Sequence, residues 1–162
     1  MAVKKKTTPK GKPATKKPKN IKKPAKVPCG AVHADPKAPA TVEQKPLPKA
    51  MSKKALENKS PAEWAYERLV LYIQNFEEQL DDEHEIAVGF ASGASGVMRI
   101  EGIGYFDPDI VTFYGVDEFG AKTQLIQHVT QLGVTLRALP KQKPEEQPAR
   151  IGFRLAQKLE KD

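Results

Sequence analysis

Residues 60–90 read SPAEWAYERLVLYIQNFEEQLDDEHEIAVGF, and within them the apolar period changes from that of a helix to that of a strand. Ser60-Pro61-Ala62-Glu63 carries a hydroxyl at the cap, proline at the first helical position and a carboxylate three residues after the cap, which together mark a helix start. Ala62, Ala65, Leu69, Ile73, Phe76 and Leu80 follow at three- and four-residue spacing, widened by Tyr66, Val70 and Tyr72. Glu63, Glu67, Arg68, Gln74, Glu77 and Glu78 take the opposite side. One amphipathic helix of about 20 residues is expected. Trp64 and Leu71 fall outside the stripe and read as core edge, with an oligomer contact as the alternative.

Past Asp81-Asp82-Glu83, Ile86, Val88 and Phe90 alternate, Ser92 to Gly96 is a turn, and Met98, Ile100 and Gly102 continue on a second strand. Ile110 to Val116 is a third strand, Asp117-Glu118-Phe119-Gly120 a hairpin loop, Lys122 to Val129 a fourth strand, and Leu132, Val134, Leu136 and Ala138 mark a fifth. Arg150 to Leu155, with Ile151, Phe153 and Leu155 on one side, reads as a short sixth. Short turns between consecutive strands predict an antiparallel meander. The fold class is therefore α+β: one N-terminal amphipathic helix on a curved antiparallel sheet of five to six strands. The folded unit is expected over residues 59–155, with a polar C-terminal tail at 156–162.

Residues 1–58 are a different material. They hold 16 lysines, no arginine and three acids, a balance of +13 in a chain whose total is +7, which leaves −6 for the remainder. Nine of the fourteen prolines lie here, and no Phe, Trp or Tyr. Adjacent lysines repel and proline removes backbone donors, so a disordered, solvated basic tail is expected. No signal-peptide-like run follows the first lysines and no stretch approaches a membrane span. The single cysteine, Cys29, permits no intrachain disulfide, and a cytoplasmic location is expected.

Chemistry-bearing clusters are sparse. Cys29, His33 and Asp35 are too few for a metal site, and Asp81, Asp82, Glu83 and Glu85 around His84 read as a solvated acidic connection, with a divalent-metal site as the alternative. Gly102-Ile103-Gly104 lies in a hairpin pattern rather than at a strand-to-helix turn, so it predicts bent strands and not a phosphate cradle. No nucleophile elbow or Walker-type lysine is present, and a non-enzymatic protein without cofactor is expected.

Two resemblances extend this reading. Arg99-Ile100-Glu101-Gly102, followed by Tyr105 to Phe113, resembles the first motif of the Sm-like proteins, in their bacterial Hfq-like branch. Leu125-Ile126-Gln127-His128-Val129 resembles the second. The lysine and tyrosine positions of that family fall on Gln127 and Ile126, so the charged and stacking partners of its uridine pocket are absent. The resemblance implies a bent sheet approaching a barrel and subunits joined through their strand edges. Pro61 to Leu69, Gly104 to Asp109 and Gln124 to Val129 are also similar to a bacterial and phage family known only as a domain of unknown function, over most of 60–155. That implies a small non-enzymatic domain.

The leading functional expectation is a nucleic-acid-associated homo-oligomer. Lys4, Lys5, Lys6, Lys16, Lys17, Lys19, Lys22, Lys23 and Lys26 would meet the phosphates of single-stranded RNA or DNA. Arg99, Tyr105, Phe106, Gln127 and His128 would recognise bases. A second expectation is a phage-encoded module that binds a nucleotide signal or a host protein, with Arg99, Arg137 or Arg150 on phosphate. A plain interaction module is a third.

Overall fold

Ser60 caps the first helix as expected: its Oγ accepts the backbone N–H of Glu63 at 3.0 Å and donates to the Asp107 carboxylate. The computed structural model describes residues 27–91 and 96–161. Helix α1 runs Pro61–Glu77. The strands are β1 (His84–Phe90), β2 (Val97–Phe106), β3 (Ile110–Val116), β4 (Lys122–His128) and β5 (Val134–Pro140). A second helix, α2, spans Ile151–Lys161.

The five strands form one antiparallel sheet in the order β4-β3-β2-β1-β5. β1 to β4 are the expected meander. β5 instead returns across the sheet to pair with β1, placing Leu136 opposite Val88. The sheet is open rather than closed into a barrel, and β4 and β5 are its two edges. A register shift between Ile100 and Gly102 bends β2 against β3, in the glycine-containing run expected to bend.

Both helices pack on one face. Ala62, Ala65, Tyr66, Val70 and Ile73 of α1 and Leu155 of α2 meet Ile86, Val88, Phe90, Met98, Ile100, Ile103, Val111 and Phe113. Phe90 and Phe113 make an edge contact at 4.9 Å at the centre of this layer.

The expected sixth strand is a helix. Ile151, Leu155 and Leu159 pack on the core at helical spacing, and Phe153, which strand alternation would have buried with them, is 63% exposed. The apolar positions fit both periods. The tie is broken by Glu77, whose carboxylate accepts the N–H groups of Ile151 and Gly152 and so caps the helix. The polar stretch expected as a tail from residue 156 is the outer half of this helix, through Lys161. Asp162 lies outside the described residues.

Two acids expected on the solvated side of α1 are buried for stated reasons. Glu77 serves α2, and Glu67 takes Lys59 Nζ at 2.5 Å in a pair whose lysine side chain is only 2% exposed. Burial raises both carboxyls above their ordinary range.

The expected tail boundary at residue 58 falls within a packed segment. Single 3-10 turns at Val42–Gln44, Lys49–Ser52 and Leu56–Asn58 lay this strap along α1, and Met51 is buried. Val42, Pro46, Leu47 and Pro48 lie over Leu71 and line a groove of about 200 Å³. The strap lysines neutralise helix acids: Lys45 bonds Asn75 at 2.6 Å and Glu78 at 3.2 Å, and Lys54 pairs with Glu63 at 2.6 Å. Trp64, just outside the main stripe, carries the Lys59 ammonium and the Arg68 guanidinium over its ring, 5.2 and 4.8 Å from the centroid.

Candidate nucleic-acid interface

Alternation sorts the side chains of β2, β3 and β4 onto two faces. Val111 and Phe113 point toward the helices, so Ile110, Thr112, Tyr114 and Val116 point away. Strand register extends this sorting into rows on the outer face: Phe106, Ile110 and His128; Gly104, Thr112 and Ile126; Gly102, Tyr114 and Gln124; Arg99, Val116 and Lys122. Neither helix covers this face, and it keeps large apolar groups in solvent: Phe106 is 75% exposed, Ile126 62% and Tyr114 43%.

The residues expected to recognise bases do not form one site. Tyr105 and Phe106 are neighbours in one strand and so project to opposite faces. Tyr105 packs against Tyr66 of α1, ring centroids 5.1 Å apart and planes tilted by 43°, and burial raises its phenol. Gln127 and His128 are divided in the same way, with Gln127 buried on the helix side. Phe106 and His128 share an outer row, separated by Ile110. Arg99 is on that face too, but seven residues along β2, roughly 20 Å away. There its Nη1 donates to Glu85 at 3.1 Å and its Nη2 to the Pro140 carbonyl at 2.9 Å, so it ties β2 to β1 and to the end of β5.

His128 has a defined tautomer. Its Nδ1 accepts the Thr130 backbone N–H at 3.3 Å and lies 2.8 Å from the Thr130 hydroxyl, while Nε2 sits 3.1 Å from Asp109 Oδ2. Nε2 therefore carries the proton, and the ring caps the turn Val129–Gln131. Val129 N–H also bonds the Asp109 carbonyl, and Ala62 N–H the Pro108 carbonyl. These bonds fasten the β2–β3 turn, with its cis Asp107-Pro108 peptide, between β4 and the start of α1.

Two of the three arginines offered for phosphate are similarly engaged. Arg150 donates to the carbonyls of His84 and Asp81, both at 2.7 Å, and Arg99 to that of Pro140; Arg137 is exposed on β5. The acidic connection is dispersed among local partners, with Asp81 on His84 and Glu83 on Lys141. Among the described residues, no group of three or more His, Cys, Asp or Glu side chains is placed to hold a metal. Within the same residues, no helix is long and apolar enough to cross a membrane. Lys4, Lys5, Lys6, Lys16, Lys17, Lys19, Lys22, Lys23 and Lys26 lie outside the described residues, as do Ser92–Ser95 of the expected β1–β2 turn.

Tyr114, Ile126, Gln124 and Lys122 were not anticipated as site residues. The signal for them is phase: once Val111 and Phe113 are taken as core, an aromatic at 114 falls on the solvent side of β3.

Residues 55–154 match the family of unknown function DUF6173, and the chain belongs to that family. No curated protein and no solved structure matches it.

Proposed function

We propose that this DUF6173 protein is a non-enzymatic, nucleic-acid-associated protein of the cytoplasm. In this reading the lysines of residues 1–26 engage the phosphate backbone without sequence preference, and the folded domain assembles as a homo-oligomer. The observation that carries it is charge segregation. Residues 1–26 hold eleven lysines and no acid, on a chain whose residues 59–162 carry net −6 and so repel phosphate. The strap supports the division, because Lys45 and Lys54 are paired with the α1 acids Glu78 and Glu63 and so are committed to the fold. The two edges β4 and β5 offer unpaired backbone groups to neighbouring copies. Several tails on one assembly strengthen weak phosphate contacts through effective concentration.

The test is retention of long single-stranded DNA by the full chain across a salt series, against the full chain with its eleven N-terminal lysines replaced by Gln. The intact protein should bind at low salt, with log affinity falling about 0.7 per decade of salt for each phosphate neutralised. The substituted chain should lose both the retention and the slope. Absence of binding by the intact protein at low salt overturns the reading. Light scattering tests the assembly, and a strictly monomeric chain removes that part of it.

A further inference from the structure

We infer that the outer face of β2, β3 and β4 is a stacking platform for unpaired bases of a single-stranded nucleic acid, with Tyr114 and Phe106 as its ring surfaces. This inference rests on the nucleic-acid reading and adds to it a site on the domain itself.

The local geometry begins with two glycines. Tyr114 lies along β2, because a Cβ at Gly102 would sit 3.6 Å from its Cδ2 and one at Gly104 would sit 3.7 Å from its Cε2. Both distances are ordinary van der Waals contact, so the ring rests against the strand at these two positions, where no longer side chain comes between them. The Thr112 hydroxyl donates to the tyrosine oxygen at 3.3 Å and holds it in that pose. The ring is nonetheless 43% exposed. A recumbent aromatic with open surface is what a base needs for stacking.

Spacing extends the platform. With a rise of about 3.3 Å per residue and about 4.8 Å between strands, the register places Phe106 roughly 14 Å from Tyr114 and Ile126 roughly 8 Å from it. Sheets that present exposed aromatic rings on one face stack about two or three bases. Gln124 borders Tyr114 in its row with an exposed amide able to bond base edges, and Lys122 ends that side of the face with a cation.

The occupant follows from charge and from the shape of the apolar surface. Phe106, Ile110, Ile126 and Tyr114 form a narrow diagonal band flanked by His128, Thr112 and Gln124, not the broad apolar centre of a contact between copies. An acidic polymer brought in by eleven lysines, and carrying flat apolar bases, satisfies the tail and the face together.

The experiment uses the full chain and a short single-stranded oligonucleotide containing 2-aminopurine, with a duplex of the same length as the comparison. Phe106→Leu and Tyr114→Leu keep an apolar cover on the sheet and remove the rings, and Tyr114→Phe restores one. Phe153→Leu on α2 controls for loss of an exposed aromatic elsewhere. Each of the first two variants should weaken single-strand affinity roughly 5- to 150-fold and reduce the quenching of 2-aminopurine. Tyr114→Phe and Phe153→Leu should bind normally, and duplex binding through the tail should be unchanged in all four. Unaltered single-strand affinity in both leucine variants, with tail binding intact, overturns the platform and leaves the tail reading standing. A change of oligomeric state in those variants without nucleic acid also overturns it, since the face would then be a contact between copies. Failure of the unsubstituted chain to bind either probe defeats the underlying reading instead.

Discussion

Glu77, in the last turn of α1, accepts the backbone N–H of Gly152 through Oε2 at 2.7 Å, and through Oε1 that of Ile151 at 3.0 Å. One buried carboxylate thus supplies the acceptors that the first turn of α2 lacks, and α2 is attached to α1 before its apolar side chains contribute anything. The contact requires glycine at 152, where a Cβ would lie 2.6 Å from Glu77 Oε2 and 2.8 Å from Gln74 Cα.

Glu77→Ala should therefore destabilise the protein by about 2 kcal/mol, because a buried donor at Gly152 and a part-buried one at Ile151 lose their acceptor. Gly152→Ala should separate the helices and give a comparable loss. Urea denaturation followed by circular dichroism measures both. A change within error in either variant would show that apolar packing alone docks α2.

The same carboxyl sets a pH dependence. Burial raises Glu77 and Glu67 above the ordinary carboxylate range, so the native state binds protons more readily than the unfolded chain does. Their contribution to stability is fully present below the unfolded value, near about 4.3, and is lost as pH rises through the folded values. On acidification from neutrality, wild type should gain stability relative to Glu77→Gln. The difference between their melting temperatures, measured at a series of pH values, reads this directly. A difference that does not vary with pH would contradict it.

Lys59 and Glu67 form a buried pair, and removing one partner strands the other. Lys59→Met should cost roughly 3 kcal/mol by leaving Glu67 uncompensated and the Met51 carbonyl without its donor. The double variant Lys59→Met with Glu67→Leu should recover a large part of that loss. A double-mutant cycle by chemical denaturation decides it, and strict additivity would mean that the pair is uncoupled.

Limited trypsin digestion should reveal the strap. Lys45 is followed by proline and bonded to α1, Lys54 is paired with Glu63, and Lys59 is buried against Glu67. The resistant fragment is therefore expected to begin at or before residue 38, after cleavage at Lys37 or further upstream. Mass spectrometry of the digest gives its start. A stable core beginning at residue 60 would show that the strap does not hold on the helix.

Much of the architecture was legible from periodicity alone. The cap at Ser60, the apolar stripe of α1 and the five strands depend on local chemistry and on burial of one face, and both are written into residue spacing. The charge division was equally legible, being composition. Three features were not. Ile151, Leu155 and Leu159 fit a helix while Ile151, Phe153 and Leu155 fit a strand, and only Glu77, 74 residues earlier in the chain, resolves the ambiguity. The strap from Thr41 to Lys59 has too few apolar residues to declare itself, and it is held by lysines whose partners lie on α1. The candidate site was the least legible. Neighbours in sequence such as Tyr105 and Phe106, or Gln127 and His128, suggest cooperation, but a strand sends them to opposite faces. Phe106, Tyr114 and Ile126 come from three strands and meet on one face only through the pairing register. A pairing register is a long-range property of the assembled sheet, and a single pass along the sequence does not contain it.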